Sequence, residues 1–111
     1  MPPKQKFFKL VVFVPQSHIE QVRIAISHVG GGIIGKYDNC SFITSRIGTY
    51  RPLEGAKPFK GEIGRLERVG EARIEITISK NKLKEAISAM KKVHPYEEPA
   101  YDVYELAGDN P

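Results

Sequence analysis

One stretch near the C-terminus concentrates the side chains with chemical potential. It reads His94-Pro95-Tyr96-Glu97-Glu98-Pro99-Ala100-Tyr101, so an imidazole, two adjacent carboxylates and two phenols fall within eight residues. Imidazole and carboxylate together suit zinc, copper or nickel, and the two prolines would reduce the entropy lost on ordering the ligands. We therefore take His94, Glu97 and Glu98 as candidate ligands of a divalent metal, and the same three with Tyr96 as candidate ligand-binding residues.

A structural interpretation of the same stretch stays open. It would then be a rigid turn that directs the last strand, with its glutamates paired to basic residues such as Arg73 or Arg46. Adjacent side chains in an extended segment point to opposite sides, so at most one of the two glutamates is expected to join His94.

A second group of polar residues lies in the glycine-rich segment Gly48–Gly64, which is too long for a mere connection in a compact domain. An arginine beside glycines and a hydroxyl can bind an anion through paired N–H donors. The candidate ligand-binding residues here are Arg46, Thr49 and Arg51. The alternative is packing of the loop against a subunit, with Tyr50, Leu53 and Phe59 as anchors.

Nothing in the sequence assembles a nucleophile, a base and an orienting group. Cys40 lies in a predicted strand without an obvious base, and His18 and His28 are nearly three turns apart on one predicted helix. The sequence thus favours a binding or sensing module over an enzyme. The alternative is a metal-dependent enzyme or metal-handling protein that uses the His94–Glu98 region at a subunit boundary.

Composition narrows the class of protein. The 111 residues, 41% of them hydrophobic, fit one domain with a core at about 7–106. The net charge of +4 is dispersed rather than gathered into a stripe, which argues against nucleic acid as a partner. No apolar run reaches membrane-spanning length, Met1–Lys9 does not resemble a secretory signal, and the sequence has one cysteine. A cytoplasmic protein is expected.

The first half of the chain predicts a strand, a helix and a second strand. Phe7–Val14 is β-branched and aromatic, and Pro15 ends it. Ser17 and Glu20 predict a capping box for the next helix, and Gly30–Gly32 end that helix. Because these glycines follow a helix, they do not fit a phosphate-binding loop. Residues 37–47 predict the second strand.

The second half predicts a strand, a helix and a closing strand. Residues 66–79 form the third strand, with a bulge at Gly70. Asn81 is expected to cap the second helix, and His94-Pro95 to end it. Tyr101–Leu106 is the last strand. The apolar stripe of the second helix consists of Leu83, Ala86, Ile87 and Met90.

Laying the chain on itself with an offset of 64 residues aligns two strand–helix units. Leu10, Val12 and Val14 then fall on Ile74, Ile76 and Ile78. Two such units, each followed by a strand, give β-α-β-β-α-β, the α+β ferredoxin-like arrangement with both helices on one face of a four-stranded antiparallel sheet. The predicted core comprises Leu10, Val12, Val14, Ile26, Ile74, Ile76, Leu83 and Met90.

The other face of the predicted sheet carries Phe7, Val11 and Phe13. Part of the second strand must join them there, either Ile43 and Ile47 or Cys40 and Phe42. A contiguous apolar face of this kind indicates an interface. We therefore expect a homo-oligomer that packs sheet against sheet.

The runs GTYRPLEGAKPFKGEIG, ERVGEARIE and MKKVHPYEEPAYDVYEL resemble the PII/CutA-like domain inserted in some NGG-interacting-factor-three proteins of the YqfO type, and its free-standing bacterial versions. The resemblance covers about Lys9 to Leu106. It implies a CutA-like variant of the ferredoxin-like fold and compact oligomers, commonly trimers. The family's dinuclear metal centre lies in flanking halves that this sequence lacks, so no hydrolase role is carried over.

Together these observations predict an oligomeric module that binds a small anionic molecule or a metal and has no established activity. We expect His94 and one of Glu97 or Glu98 to border a cleft shared with Arg51 of the long loop.

Overall fold

The computed structural model of the chain describes residues 6–108. Strand β1 spans Phe7–Pro15, and a single 3-10 turn, Gln16–His18, leads into helix α1, Ile19–His28. Strands β2 and β3 follow at Phe42–Tyr50 and Glu67–Ser79. Helix α2, Lys80–Val93, and strand β4, Tyr101–Leu106, complete the described fold.

The four strands form one antiparallel sheet in the order β2-β3-β1-β4, with β1 and β3 at its centre. Leu10 lies opposite Ile76 and Val12 opposite Ile74, so the two central strands present matching apolar residues to one face. Both helices pack on that face. The predicted β-α-β-β-α-β ferredoxin-like fold is confirmed.

The core lies between this face and the helices. Seven of the eight predicted core residues are at most 1% exposed, and the eighth, Leu83, packs against them partly buried. The helix residues that fill the core are separated by three or four positions, as an amphipathic stripe requires: Val22, Ile26, Ala86 and Met90.

Both predicted helix caps are wrong. The 3-10 turn displaces the start of α1 to Ile19, so Ser17 precedes the N-cap residue and its hydroxyl pairs with the His18 ring at 2.7 Å instead. Strand β3 runs into α2 without a loop, which makes Ser79 the N-cap and places Asn81 inside the helix. The predicted ends are right, since α1 stops before Gly30, which has a positive φ, and α2 stops before His94.

Strand β2 is shifted towards the C-terminus relative to the predicted 37–47. The amide of Cys40 donates to Gly32 O rather than to a neighbouring strand, and Asn39 has a positive φ that interrupts extended backbone. The strand instead takes Gly48–Tyr50 from the predicted loop and pairs as far as Glu67. Gly70 pairs with Ile47 in regular register, so the predicted bulge at Gly70 is wrong.

The sheet face opposite the helices is less apolar than expected. Phe42 lies opposite Glu75, on the face of Val11, whereas Ile43 lies opposite Ile74 on the helix side, which decides between the two alternatives for β2. Val11 has no exposed area, and its cross-strand neighbours are Glu75 and Asp102. This open face therefore mixes exposed Phe42 with charged residues.

Candidate functional site

A cleft of about 430 Å³ lies where the end of β2, the loop that follows it and the turn before β4 converge beside β1. Each of these segments contributes apolar or aromatic residues to the lining. Ionisable side chains lie among them. The lining residues are Phe13, Gly48, Thr49, Tyr50, Arg51, Pro52, Ala56, Pro58, Phe59, Glu71, Tyr96, Glu97, Glu98 and Ala100.

The loop between β2 and β3 is held in place by hydrogen bonds at several points. The Tyr50 hydroxyl donates to Lys60 O at 2.6 Å, and the Gly64 amide donates to Pro52 O at 2.7 Å. The Lys57 amide donates to Glu97 Oε1 at 3.0 Å, which ties the loop to the turn before β4. These contacts preform the cleft.

His94 fixes the turn rather than lining the cleft. Its side chain is buried, its Nε2 donates to Phe13 O at 2.8 Å, and its Nδ1 accepts the Tyr96 amide at 3.2 Å. This pairing requires the neutral tautomer with the proton on Nε2. Burial lowers the pKa of His94, because it disfavours the charged ring, while the Phe13 carbonyl opposes this shift.

Tyr96 and Glu71 form the polar pair inside the cleft. The Tyr96 hydroxyl donates to Glu71 Oε2 at 2.7 Å. Gly48 permits this arrangement, since a Cβ at Gly48 would occupy the place of the Glu71 carboxylate. Burial, and then the hydrogen bond to the Glu71 carboxylate, raise the pKa of Tyr96.

The sequence analysis missed Glu71 and Gly48. The pairing register of β2 and β3 would have revealed them. Glu71 lies opposite Arg46, and Gly48 follows Arg46 by two residues on the same face of β2. The predicted strand at 37–47 ends before Gly48, so this register could not be read from the sequence.

Two aromatic rings pack beside the Tyr96 ring in this part of the cleft. The rings of Tyr50 and Phe59 lie 5.9 and 6.2 Å from the Tyr96 ring, between centroids, and are tilted by 60° and 53°. Phe59 also meets the His18 ring edge-on at 5.8 Å. Tyr50 and Phe59 thus anchor the loop as expected, but within the same chain, whereas Leu53 is 63% exposed.

The structure brings together five of the seven predicted ligand-binding residues. Thr49, Arg51, Tyr96, Glu97 and Glu98 line the cleft, while Arg46 and His94 are not among its lining residues. Both glutamates reach the cleft because residues 96–98 form a bend rather than an extended segment. Since His94 does not line the cleft, the expectation that at most one glutamate would join His94 is not contradicted.

The expected partners of these glutamates also differ. Glu97 accepts a hydrogen bond from a backbone amide. Arg73 pairs with Glu75 at 3.7 Å, and its guanidinium lies 5.7 Å from the centre of the Phe13 ring.

Over residues 6–108, no three His, Cys, Asp or Glu side chains are grouped so that they could hold a metal ion. In the same part of the chain, no helix is long and apolar enough to cross a membrane.

Relatives of known sequence share this domain as part of a longer chain. The GTP cyclohydrolase 1 type 2 homolog of Bacillus subtilis is 52% identical over 96 residues, which cover 86% of this chain and 26% of the relative. Its counterpart from Mycobacterium tuberculosis is 40% identical over 98 residues, 88% of this chain and 26% of the relative. The chain thus spans about a quarter of the length of these relatives. No known family profile matches it.

Solved structures agree with the fold. A Bacillus cereus protein related to NIF3 superposes with a TM-score of 0.85 at 43% identity, covering 98% of this chain and 28% of that protein. CutA1 from Ehrlichia chaffeensis gives a TM-score of 0.67 at 15% identity, covering 97% and 88%. The GlnK–ATP complex of B. subtilis gives 0.58 at 17% identity, covering 92% and 84%. The fold is therefore CutA/PII-like.

Proposed function

We propose that the chain is a binding or regulatory module that takes a small molecule in the cleft between the β2–β3 loop and the turn before β4. The observation that carries this proposal is the preformed cleft itself, with aromatic and proline walls and a few convergent ionisable groups. Small-molecule sites are built in this way. The volume of about 430 Å³ lies within their usual range.

The loop supports a regulatory role. It supplies Arg51, Pro52, Ala56, Pro58 and Phe59 to the cleft, and its tie to Glu97 lies at the cleft as well. A ligand that contacts these residues would stabilise one loop conformation over others. Likeness to GlnK, solved with ATP, is an analogy at the level of the fold.

We propose further that the module acts as a homo-oligomer, with a trimer favoured by its resemblance to PII/CutA-like proteins, in the cytoplasm. Phe42, 69% exposed, together with half-buried Phe7 and Phe13 on the same sheet face, supports contact between subunits through that face. The exposed charges beside them, such as Arg73 and Glu75, would set the register between subunits.

The test is thermal unfolding of the purified chain against a panel of cationic, anionic and neutral small molecules, nucleotides and divalent metals. A specific ligand raises the melting temperature by linkage. Ala56→Trp fills the cleft with a large ring, and Ala107→Trp places the same ring on exposed backbone beyond β4.

A panel member should stabilise the native chain and Ala107→Trp but not Ala56→Trp. The proposal fails if nothing in the panel stabilises the native chain, or if the stabilisation persists in Ala56→Trp.

A further inference from the structure

The charge inside the cleft is opposite to that of the whole chain. The chain carries a net charge of +4, yet the ionisable residues that line the cleft are one arginine, Arg51, and three glutamates, Glu71, Glu97 and Glu98. The sequence pointed to an anion through Arg51 and the basic loop. The structure adds Glu71, brings Glu97 and Glu98 into the same cleft, and leaves the loop cations Lys57 and Lys60 outside its lining.

We infer that the cleft recognises a small organic cation, an ammonium or guanidinium group attached to an apolar or aromatic body. This inference rests on the proposed function, since it names the ligand class of the same site. The site is defined by the cavity with its aromatic walls, and the carboxylates determine which ligands it accepts.

Two of the carboxylates are already oriented by the protein. Glu71 uses Oε2 to accept the Tyr96 hydroxyl, and Glu97 uses Oε1 to accept the Lys57 amide. An ionised carboxylate accepts hydrogen bonds at both of its oxygens. Each of these side chains is therefore held in place by one oxygen while the other can receive an N–H donor. Charge-assisted bonds of this kind are the strong ones.

The aromatic walls favour the same ligand. The rings of Tyr50 and Phe59, which line the cleft with Tyr96, are each tilted against the Tyr96 ring rather than stacked on it. The face of an aromatic ring attracts a cation, and more strongly when water is excluded. The same interaction occurs elsewhere in the structure, with Arg73 over Phe13 and Lys91 over Tyr101.

Carboxylates also act on the two tyrosines of the cleft. The pKa of each is raised, first by burial and then by carboxylates, Glu71 in the case of Tyr96 and both Glu67 and Glu71 in the case of Tyr50. Burial disfavours a charge of either sign, so only the carboxylate contribution, which includes Glu71 in both cases, favours a cationic over an anionic ligand.

The competing ligand classes fit less well. A bound anion would meet one guanidinium and three carboxylates. A divalent metal needs several oxygen or nitrogen ligands at short range, whereas the described residues present no group of three such side chains. The lining also includes side chains without any metal-ligand atom, namely those of Phe13, Pro52 and Phe59. These side chains would bury the apolar body of an organic cation.

Three compounds of matched shape test the inference: phenethylamine, which is cationic, 3-phenylpropionate, which is anionic, and 2-phenylethanol, which is neutral. Each is titrated into the native chain by calorimetry, with thermal unfolding as a second readout. We expect phenethylamine to bind about tenfold more tightly than either of the others, the ratio that one charge-assisted hydrogen bond supplies.

Two variants, each at an exposed side chain, test separately how a negative and a positive residue of the lining affect binding. Glu98→Gln keeps the size of the side chain and should weaken phenethylamine binding by about tenfold. Arg51→Gln removes the one positive group in the lining, which repels a cation, and should therefore tighten phenethylamine binding.

The outcomes separate this inference from the proposed function. Tighter binding of the anion, equal binding of the amine and the alcohol, or stabilisation by Zn²⁺ or Mn²⁺ alone would overturn the cation assignment while the cleft remained a binding site. A failure of every compound in the wider panel would instead remove the proposed function.

Discussion

The imidazole Nε2 of His94 donates to the carbonyl oxygen of Phe13 over 2.8 Å, across 81 positions of sequence. The bond joins the turn before β4 to the end of β1. Phe13 and Tyr96, which belong to these two segments, both line the cleft. His94 therefore determines the shape of the cleft without lining it.

The burial of His94 predicts a pH dependence of stability. The pKa of His94 is lowered from 6.5 in the folded chain, chiefly by burial, with His18 lowering it further and Glu71 opposing. A group with a depressed pKa binds protons preferentially in the unfolded state, so the free energy of unfolding falls as pH drops through about 6.5. It levels off once pH is below the folded pKa.

The measurement is urea unfolding at about pH 7.5 and about pH 5.5. His94→Gln can still donate to Phe13 O but does not titrate. At the higher pH the variant should be less stable than the native chain. On acidification its free energy of unfolding should fall by less than that of the native chain. The other histidines and carboxylates are the same in both proteins, so their contributions to the pH dependence cancel in the comparison. Equal losses in the two proteins would contradict the assignment.

Gly48 predicts a specific steric effect. Gly48→Ala would place a methyl group where the Glu71 carboxylate lies and break its hydrogen bond with Tyr96. We expect a loss of about 1 kcal/mol, because the two polar groups that lose their hydrogen bond are only partly buried. Gly70→Ala is the matched control, because a Cβ at Gly70 would make ordinary contact with the Gln16 side chain at 3.6 Å. Denaturant unfolding of both variants checks this, and equal stabilities would refute it.

The core predicts a larger effect. Ile76 is 1% exposed in the centre of β3, so Ile76→Ala should lower the free energy of unfolding by roughly 2–5 kcal/mol. Ile24→Ala is its control, since Ile24 is 53% exposed on α1 and should change stability by about 0.5 kcal/mol or less. Similar losses at both positions would mean that the strand is misplaced.

The proposed assembly predicts a change in mass. Phe42→Asp places a charge on the sheet face opposite the helices, where it should disrupt subunit contact but not the fold of the exposed strand end. Light scattering after gel filtration should show a trimer for the native chain and a smaller species for the variant. Tyr37→Asp, at a residue 75% exposed outside the strands, should keep the native mass. A monomeric native chain would end this proposal.

Much of the fold follows from sequence because its causes are local. The alternation of Leu10, Val12 and Val14, repeated at Ile74, Ile76 and Ile78, places β1 and β3 and the face that the helices cover. The helix caps could not be predicted in the same way. A single 3-10 turn before α1 moves its N-cap from the predicted Ser17 to His18, and the absence of a loop before α2 moves its N-cap from Asn81 to Ser79. Such displacements leave no signal in the apolar periodicity.

The candidate site was predicted in part for a similar reason. Glu97, Glu98 and Arg51 were identified from residue type alone, and they do line one cleft. Glu71 was missed because its position depends on the register of β2 against β3. His94 was given a ligand role because sequence does not show that both of its ring nitrogens are engaged by backbone groups.

The tie between the Lys57 amide and Glu97 spans 40 positions, and the bond from His94 spans 81. Each tie is a single bond from a loop or turn, whereas β1 is paired with β3 on one edge and with β4 on the other. The cleft should thus open before the central strands do in the native state. Hydrogen exchange at the Lys57 amide should be faster than at the amides of β1, through local openings that leave the central strands intact.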